Sequence, residues 1–117
     1  MSAYVSNLFT LEIEPKNFPA FEALVSEIVA ATQKEPGTLI YEYSVNADRT
    51  VAHILERYRA DSVVTHVDNT FAPFADRFLN LAKITSLVVY GNPDAEVRKR
   101  LDPFNAVYME SFGGFSR

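Results

Sequence analysis

The sequence predicts an α+β domain in which an antiparallel sheet carries its helices on one face. Three observations predict it. Four stretches alternate with a period of two: Tyr4–Glu14, Thr38–Asn46, Val51–Arg59 and Lys83–Tyr90. Two stretches repeat apolar residues at helical spacing: Phe21, Leu24, Val25, Ile28 and Val29, then Phe71, Phe74, Ala75, Phe78, Leu81 and Ala82. Their order along the chain is β-α-β-β-α-β. The 117 residues make one domain by length, 1–117, with 91–117 as a C-terminal extension.

The first strand, Tyr4 to Glu14, places Val5, Asn7, Phe9, Leu11 and Ile13 on one face. Asn7 is the polar member of that apolar face, so its amide must find partners or meet a ligand. Pro15 ends the strand. Asn17 is positioned as an N-cap, with Pro19 in the first turn of a helix. That helix stops at Glu35-Pro36-Gly37, a breaker followed by a turn glycine. The second strand carries Leu39, Tyr41, Tyr43 and Val45 on one face. Ala47-Asp48-Arg49-Thr50 then turns it into the third as a hairpin. The third strand puts Ala52, Ile54, Glu56 and Tyr58 on one face and His53 and Arg57 on the other. Asp61 can cap a helix through about Val67, which carries His66. Asn69 or Thr70 recaps a second helix, with Pro73 near its start. After the fourth strand, Asn92-Pro93-Asp94 starts a short helix to about Leu101. Ala106 to Phe112 is a last short strand. The whole order is the split β-α-β, or ferredoxin-like, arrangement.

Composition removes several function classes. There is no cysteine, so disulfides, thiolate metal sites and cysteine nucleophiles are out. A net charge of −4 argues against nucleic acid. Two histidines in strand and helix match no zinc spacing, so no metal is expected. There is no glycine-rich phosphate loop and no nucleophile elbow. No apolar run approaches the ~18 residues of a membrane span, and no signal peptide is visible, so a cytoplasmic location is the expectation.

Both faces of the strands carry large apolar side chains, Leu8 against Phe9 and Ile40 against Tyr41. Helices can cover one face only. A second copy of the sheet is the simplest cover for the other, which predicts a homodimer closed as an α+β barrel.

Glu35-Pro36-Gly37 before a tyrosine-bearing strand, Glu56-Arg57-Tyr58, His66, and Phe71 with Phe74 together resemble the antibiotic biosynthesis monooxygenase family of dimeric α+β barrels, over roughly residues 4–91. The resemblance implies a pocket between sheet and helices, and members that oxygenate phenols or quinols without a cofactor. It also implies an asparagine on the first strand as a ligand, matched by Asn7. A helical histidine, used in the haem-degrading branch, is matched by His66. The family's tryptophan is absent, and Tyr58 takes the similar place.

The implied function is a cofactor-independent monooxygenase acting on a small aromatic or quinol-type substrate. Such a site needs a base, a donor for the phenolate and a dry wall. His66 or Glu56 is the candidate base and Asn7 the amide donor. Tyr41, Tyr58, Phe71 and Phe74 are the candidate wall. Glu56 has an alternative as an ion-pair or interface residue, and the aromatic stripe has one as ordinary core. The corresponding alternative for the whole chain is a non-catalytic small-molecule-binding or dimerisation module. In that case Phe71, Phe74 and Tyr58 fill the pocket.

Overall fold

The structure is a computed structural model describing residues 3–117. Its elements are β1 (Tyr4–Glu12), α1 (Phe18–Thr32), β2 (Thr38–Val45), β3 (Val51–Arg59), a helical path from Ala60 to Leu81, β4 (Lys83–Tyr90), α4 (Ala95–Leu101) and β5 (Val107–Met109). Within the helical path lie α2 (Val63–Thr65), a π-helical segment His66–Phe71 and α3 (Ala75–Leu81). The sheet order is β2-β3-β1-β4-β5. The first four strands pair antiparallel, as the ferredoxin-like arrangement requires, and β5 joins β4 in parallel.

The β2–β3 hairpin forms because Asn46 caps it. Its Oδ1 accepts from the backbone N–H of Thr50 and of Val51, both at 3.0 Å, while Arg49 turns the chain at φ 65°. In α1 the residues Phe21, Leu24, Ile28 and Thr32 are buried, one stripe at helical spacing. Asn17 makes no side-chain cap there. It already has helical dihedrals and closes a 3₁₀ turn over Pro15–Asn17.

The second helical region departs from expectation. No side-chain cap forms at Asp61, Asn69 or Thr70, and the chain does not break into two capped helices. It runs on through the π-helical segment and a 3₁₀ turn, Ala72–Phe74. Pro73 has no N–H to give the preceding turn, and the Thr70 hydroxyl is drawn away to Glu35.

The buried face of the sheet meets two core clusters. One, under α1 and α3, contains Leu11, Phe21, Ile28, Ile54 and Phe78. The other, under α2 and α4, contains Val5, Tyr58, Val63, Leu87, Val97 and Leu101. The C-terminal extension is therefore part of the body: Asp94 caps α4 through the Val97 N–H at 3.0 Å. The opposite face of the sheet is open. Register aligns Leu55, Leu8, Val88 and Val107 in one row across it, and Leu55, Tyr90, Val107 and Met109 are exposed. Among the described residues no helix is long and apolar enough to cross a membrane.

Candidate functional site

Between the two clusters lies a cavity of about 70 Å³. The sheet supplies Asn7, Phe9, Tyr41, Ile54, Glu56, Tyr58 and Ile84. The helical path supplies Val63, His66, Val67, Phe71 and Phe78, and the C-terminal segment supplies Leu101 and Phe104. Of the residues singled out in the sequence, Asn7, Tyr41, Glu56, Tyr58, His66 and Phe71 line this one space. Phe74 does not. It is half-buried beside α3, with the Arg77 guanidinium 5.5 Å from its ring centre.

Strand register assembles the polar wall. Asn7 on β1 and Tyr41 on β2 are both paired with Glu56 on β3, so the three stand in one row across three strands. Tyr58 follows two residues along, on the same face. Glu56 Oε1 accepts from Asn7 Nδ2–H at 3.2 Å and from the Tyr58 hydroxyl at 2.9 Å. No arginine contacts this carboxyl among the described residues. Its hydrogen-bond partners, Asn7 and Tyr58, are neutral and the charge that reaches it, from Glu35, is of like sign, so the ion-pair alternative does not hold within the described residues. Burial pushes the Glu56 carboxyl from 4.5 up to about 7, against the opposing bonds from Tyr58 and Asn7. It therefore exchanges its proton near neutrality. Burial likewise keeps the Tyr41, Tyr43 and Tyr58 phenols protonated, and the Tyr41 and Tyr43 hydroxyls bond each other at 2.8 Å.

Asn7 brings an acceptor as well as the expected amide donor. One of its two amide N–H donors is engaged by Glu56, whereas its Oδ1 is buried with no partner. A buried acceptor left unmade costs about 1–3 kcal/mol. What Asn7 offers an occupant is thus a carbonyl oxygen, which binds a donor.

His66 is buried at the start of the π-helical segment, its ring centre 5.2 Å from that of Tyr41, 5.3 Å from Tyr58 and 6.2 Å from Phe71. Its Nδ1 lies 2.9 Å from Glu35 Oε1. Burial lowers the histidine below its ordinary 6.5, outweighing the Glu35 charge that raises it. The contact is therefore a hydrogen bond to a neutral imidazole, although its distance also satisfies an ion pair. Glu35 is the site residue that sequence reasoning missed. Glu35-Pro36-Gly37 read as a helix breaker and as part of the family resemblance, with no site role for Glu35, and nothing local marks a carboxylate that meets its partner 31 positions later.

The C-terminal segment closes the cavity. Phe104 stands edge-on to Phe9, with ring centres 6.1 Å apart. Arg100 binds Asp68 of the π-helical segment at 2.8 Å and Glu96 at 2.7 Å. Among the described residues, no group of three or more His, Asp or Glu side chains is placed to hold a metal ion.

Neither a family model nor a curated protein matches the sequence. Solved structures do match. The chain is similar over 100% of its length to MupZ from Pseudomonas fluorescens, covering 91% of that chain at 28% identity and a TM-score of 0.88. That likeness includes the C-terminal segment. A protein from Caulobacter crescentus CB15, proposed to be an antibiotic biosynthesis monooxygenase, matches 74% of this chain and 85% of its own, at 21% identity and a TM-score of 0.64. SnoaB, a cofactor-independent oxygenase from Streptomyces nogalater, matches 80% of this chain and 97% of its own, at 13% identity and a TM-score of 0.65. The chain has the fold of the antibiotic biosynthesis monooxygenases, as its residues resemble that family.

Proposed function

We propose that the protein is a cofactor-independent enzyme that moves a proton on a small, apolar, hydroxyl-bearing substrate, with oxygenation of a phenol or quinol as its leading reaction. The observation that carries this is the Glu56 carboxyl, buried in an apolar cavity and titrating near 7, beside the unpartnered Oδ1 of Asn7. Asn7 Oδ1 accepts the substrate hydroxyl and orients it. Glu56 or His66 takes the proton. The resulting anion gives one electron to dioxygen, and the two radicals combine at carbon. Loss of water leaves one oxygen atom in a quinone and the other in water. Tyr41, Tyr58 and Phe71 keep bulk water away. The fold shared with SnoaB, a named cofactor-independent oxygenase, supports this reading.

A second reading has its own observation. With the Tyr58 hydroxyl and one Asn7 N–H committed to Glu56, protonated Glu56 is itself a donor that a phenolate would meet in the cavity. A carboxyl that is half acid and half base at neutrality, facing a neutral His66, suits isomerisation, addition or elimination without oxygen.

The cavity is about half the ~150 Å³ that accepts a benzene ring, so an aromatic substrate must part its walls. Leu101 and Phe104 form the wall best able to yield, because their segment is tied to the π-helical segment by the partly exposed Arg100–Asp68 pair. The open sheet face, with its apolar row Leu55, Leu8, Val88 and Val107, is the surface on which we place a second copy.

The test is product formation with a panel of hydroquinones and polycyclic phenols, in air on an oxygen electrode and under argon. Oxygen uptake above the autoxidation blank, lost at least about tenfold in Glu56→Gln, supports oxygenation. Conversion under argon supports proton transfer alone. Binding with no conversion under either gas returns the chain to a non-catalytic binding module.

A further inference from the structure

Glu35 stands outside the cavity wall, yet it makes more side-chain hydrogen bonds than any group lining it. Its Oε1 accepts from Thr38 Oγ1 at 2.9 Å and meets His66 Nδ1 at 2.9 Å, and its Oε2 accepts from Thr70 Oγ1 at 2.5 Å. One carboxylate thereby holds residues four apart on the π-helical segment, at His66 and at Thr70. The loop that delivers it is built for close approach. A Cβ on Gly37 would sit 1.8 Å from Ser62 Oγ and 2.6 Å from Ser62 Cβ, and the Arg59 N–H binds the Gly37 carbonyl at 2.8 Å. The contact of Gly37 with Ser62 thus seats Glu35 against the far side of the His66 ring.

A carboxylate can only accept, so a histidine bonded to it through Nδ1 must carry its proton there. His66 lines the cavity, and its Nε2 takes no hydrogen bond among the described residues. We infer that Glu35 is a positioning residue: it selects the Nδ1–H tautomer of His66 and so presents Nε2 to the cavity as a lone-pair acceptor. In a solvent-exposed histidine side chain the opposite tautomer is the more common one, and it would present a donor instead. The other ionisable groups around the ring are Tyr41 from β2, Glu56 and Tyr58 from β3, and Asp68 on its own segment, which is turned to Arg100. None of them bonds Nδ1. With Asn7 Oδ1 and His66 Nε2 both acceptors, the cavity is polarised toward an occupant that donates. This role rests on the acid–base reading of the cavity, while its test reads the ring itself.

The test is a pH series of two-bond ¹H–¹⁵N correlation spectra on the full chain labelled at histidine, as wild type, Glu35→Gln and Glu35→Ala. His53, exposed on the open sheet face, is the internal control. In the wild type His66 should show the Nδ1–H pattern, with Nε2 at the shift of an unprotonated nitrogen. Glu35→Gln keeps an acceptor for Nδ1 but removes the charge. The tautomer should persist while the titration midpoint of His66 falls by about one pH unit and His53 does not move. Glu35→Ala should pass His66 to the Nε2–H pattern. A wild-type Nε2–H pattern overturns the inference, and so does a midpoint unmoved by Glu35→Gln, which would leave Glu35 a structural tie only. If Glu35→Ala fails to fold, the wild type and Glu35→Gln still decide. An Nδ1–H pattern in a protein that converts no substrate sinks the enzyme reading and leaves this one standing.

Discussion

Replacing Glu56 with glutamine should change how stability depends on pH, with a sign that follows from burial. The folded carboxyl titrates at about 7 against 4.5 when unperturbed, so the native state holds the proton more tightly than the unfolded chain. Its contribution is fully present below pH 4.5 and is lost as pH rises through about 7. At about 1.4 kcal/mol per pH unit the loss is about 3 kcal/mol, a large share of a typical total of about 5–15 kcal/mol. His66 acts in the opposite direction. Its folded value is lowered, so it removes stability as pH falls below 6.5. Glutamine keeps an Oε1 to accept from Asn7 and Tyr58, cannot ionise, and leaves His66 in place. Urea unfolding of both proteins from below pH 4.5 to above pH 7 gives the Glu56 contribution as the difference between the two curves. The wild type should lose about 3 kcal/mol relative to Glu56→Gln across that window, ending less favoured at high pH. Parallel curves would refute the reasoning, because they would mean that Glu56 is ionised in the folded protein at no cost.

Other substitutions probe the parts that hold the site. Gly37→Ala drives a methyl into Ser62 and should cost about 1–3 kcal/mol in thermal or urea unfolding; Ser62→Gly in the same chain should restore most of it, and no restoration would place the strain elsewhere. Leu55→Glu puts a charge opposite Leu8 in the middle of the open sheet face, and sedimentation should show a dimeric wild type and a monomeric variant. Two species of equal mass would remove that face as an interface. Arg100→Ala cuts the tie between α4 and the π-helical segment; it should speed binding of a ring-sized probe in stopped flow with little change in unfolding free energy, and an unchanged rate would mean that ligands enter elsewhere.

The sheet is legible in the sequence because each strand has a single period-two pattern, and because Asn46 to Thr50 can only be a turn. Alternation on β1 and β3 also puts Asn7, Glu56 and Tyr58 on inward faces, and antiparallel pairing does the rest. Tyr41 joins them by its pairing with Glu56, and His66 once the helical path is laid over the sheet. The second helical region is less legible. Asp61, Asn69 and Thr70 look like caps, but Thr70 goes to a tertiary partner, Glu35, Asp61 accepts from its neighbour Ser62, and the chain runs through without capping. Glu35 itself is invisible for the same reason, since its bonds to His66 and Thr70 span more than thirty positions. Phe74 shows the limit of a stripe. It shares helical spacing with Phe71 and Phe78, which reach the cavity, but the 3₁₀ turn around Pro73 rotates it toward Arg77. The direction in which Asn7 points its amide is likewise set by its neighbour, because Glu56 takes one N–H and leaves the oxygen.

The cavity is read as a site for a hydroxyl donor, and binding of phenol against anisole by calorimetry or ligand-observed NMR tests that most directly. Both are monosubstituted benzenes, anisole larger by one methyl, and only phenol can donate to Asn7 Oδ1 or His66 Nε2, so the ratio in Asn7→Leu separates the donor from the added size. Phenol should bind at least about fivefold more tightly, the worth of one buried hydrogen bond made rather than left unmade, and Asn7→Leu should shrink the ratio. Anisole binding as tightly as phenol, or neither binding at millimolar concentration, would contradict it.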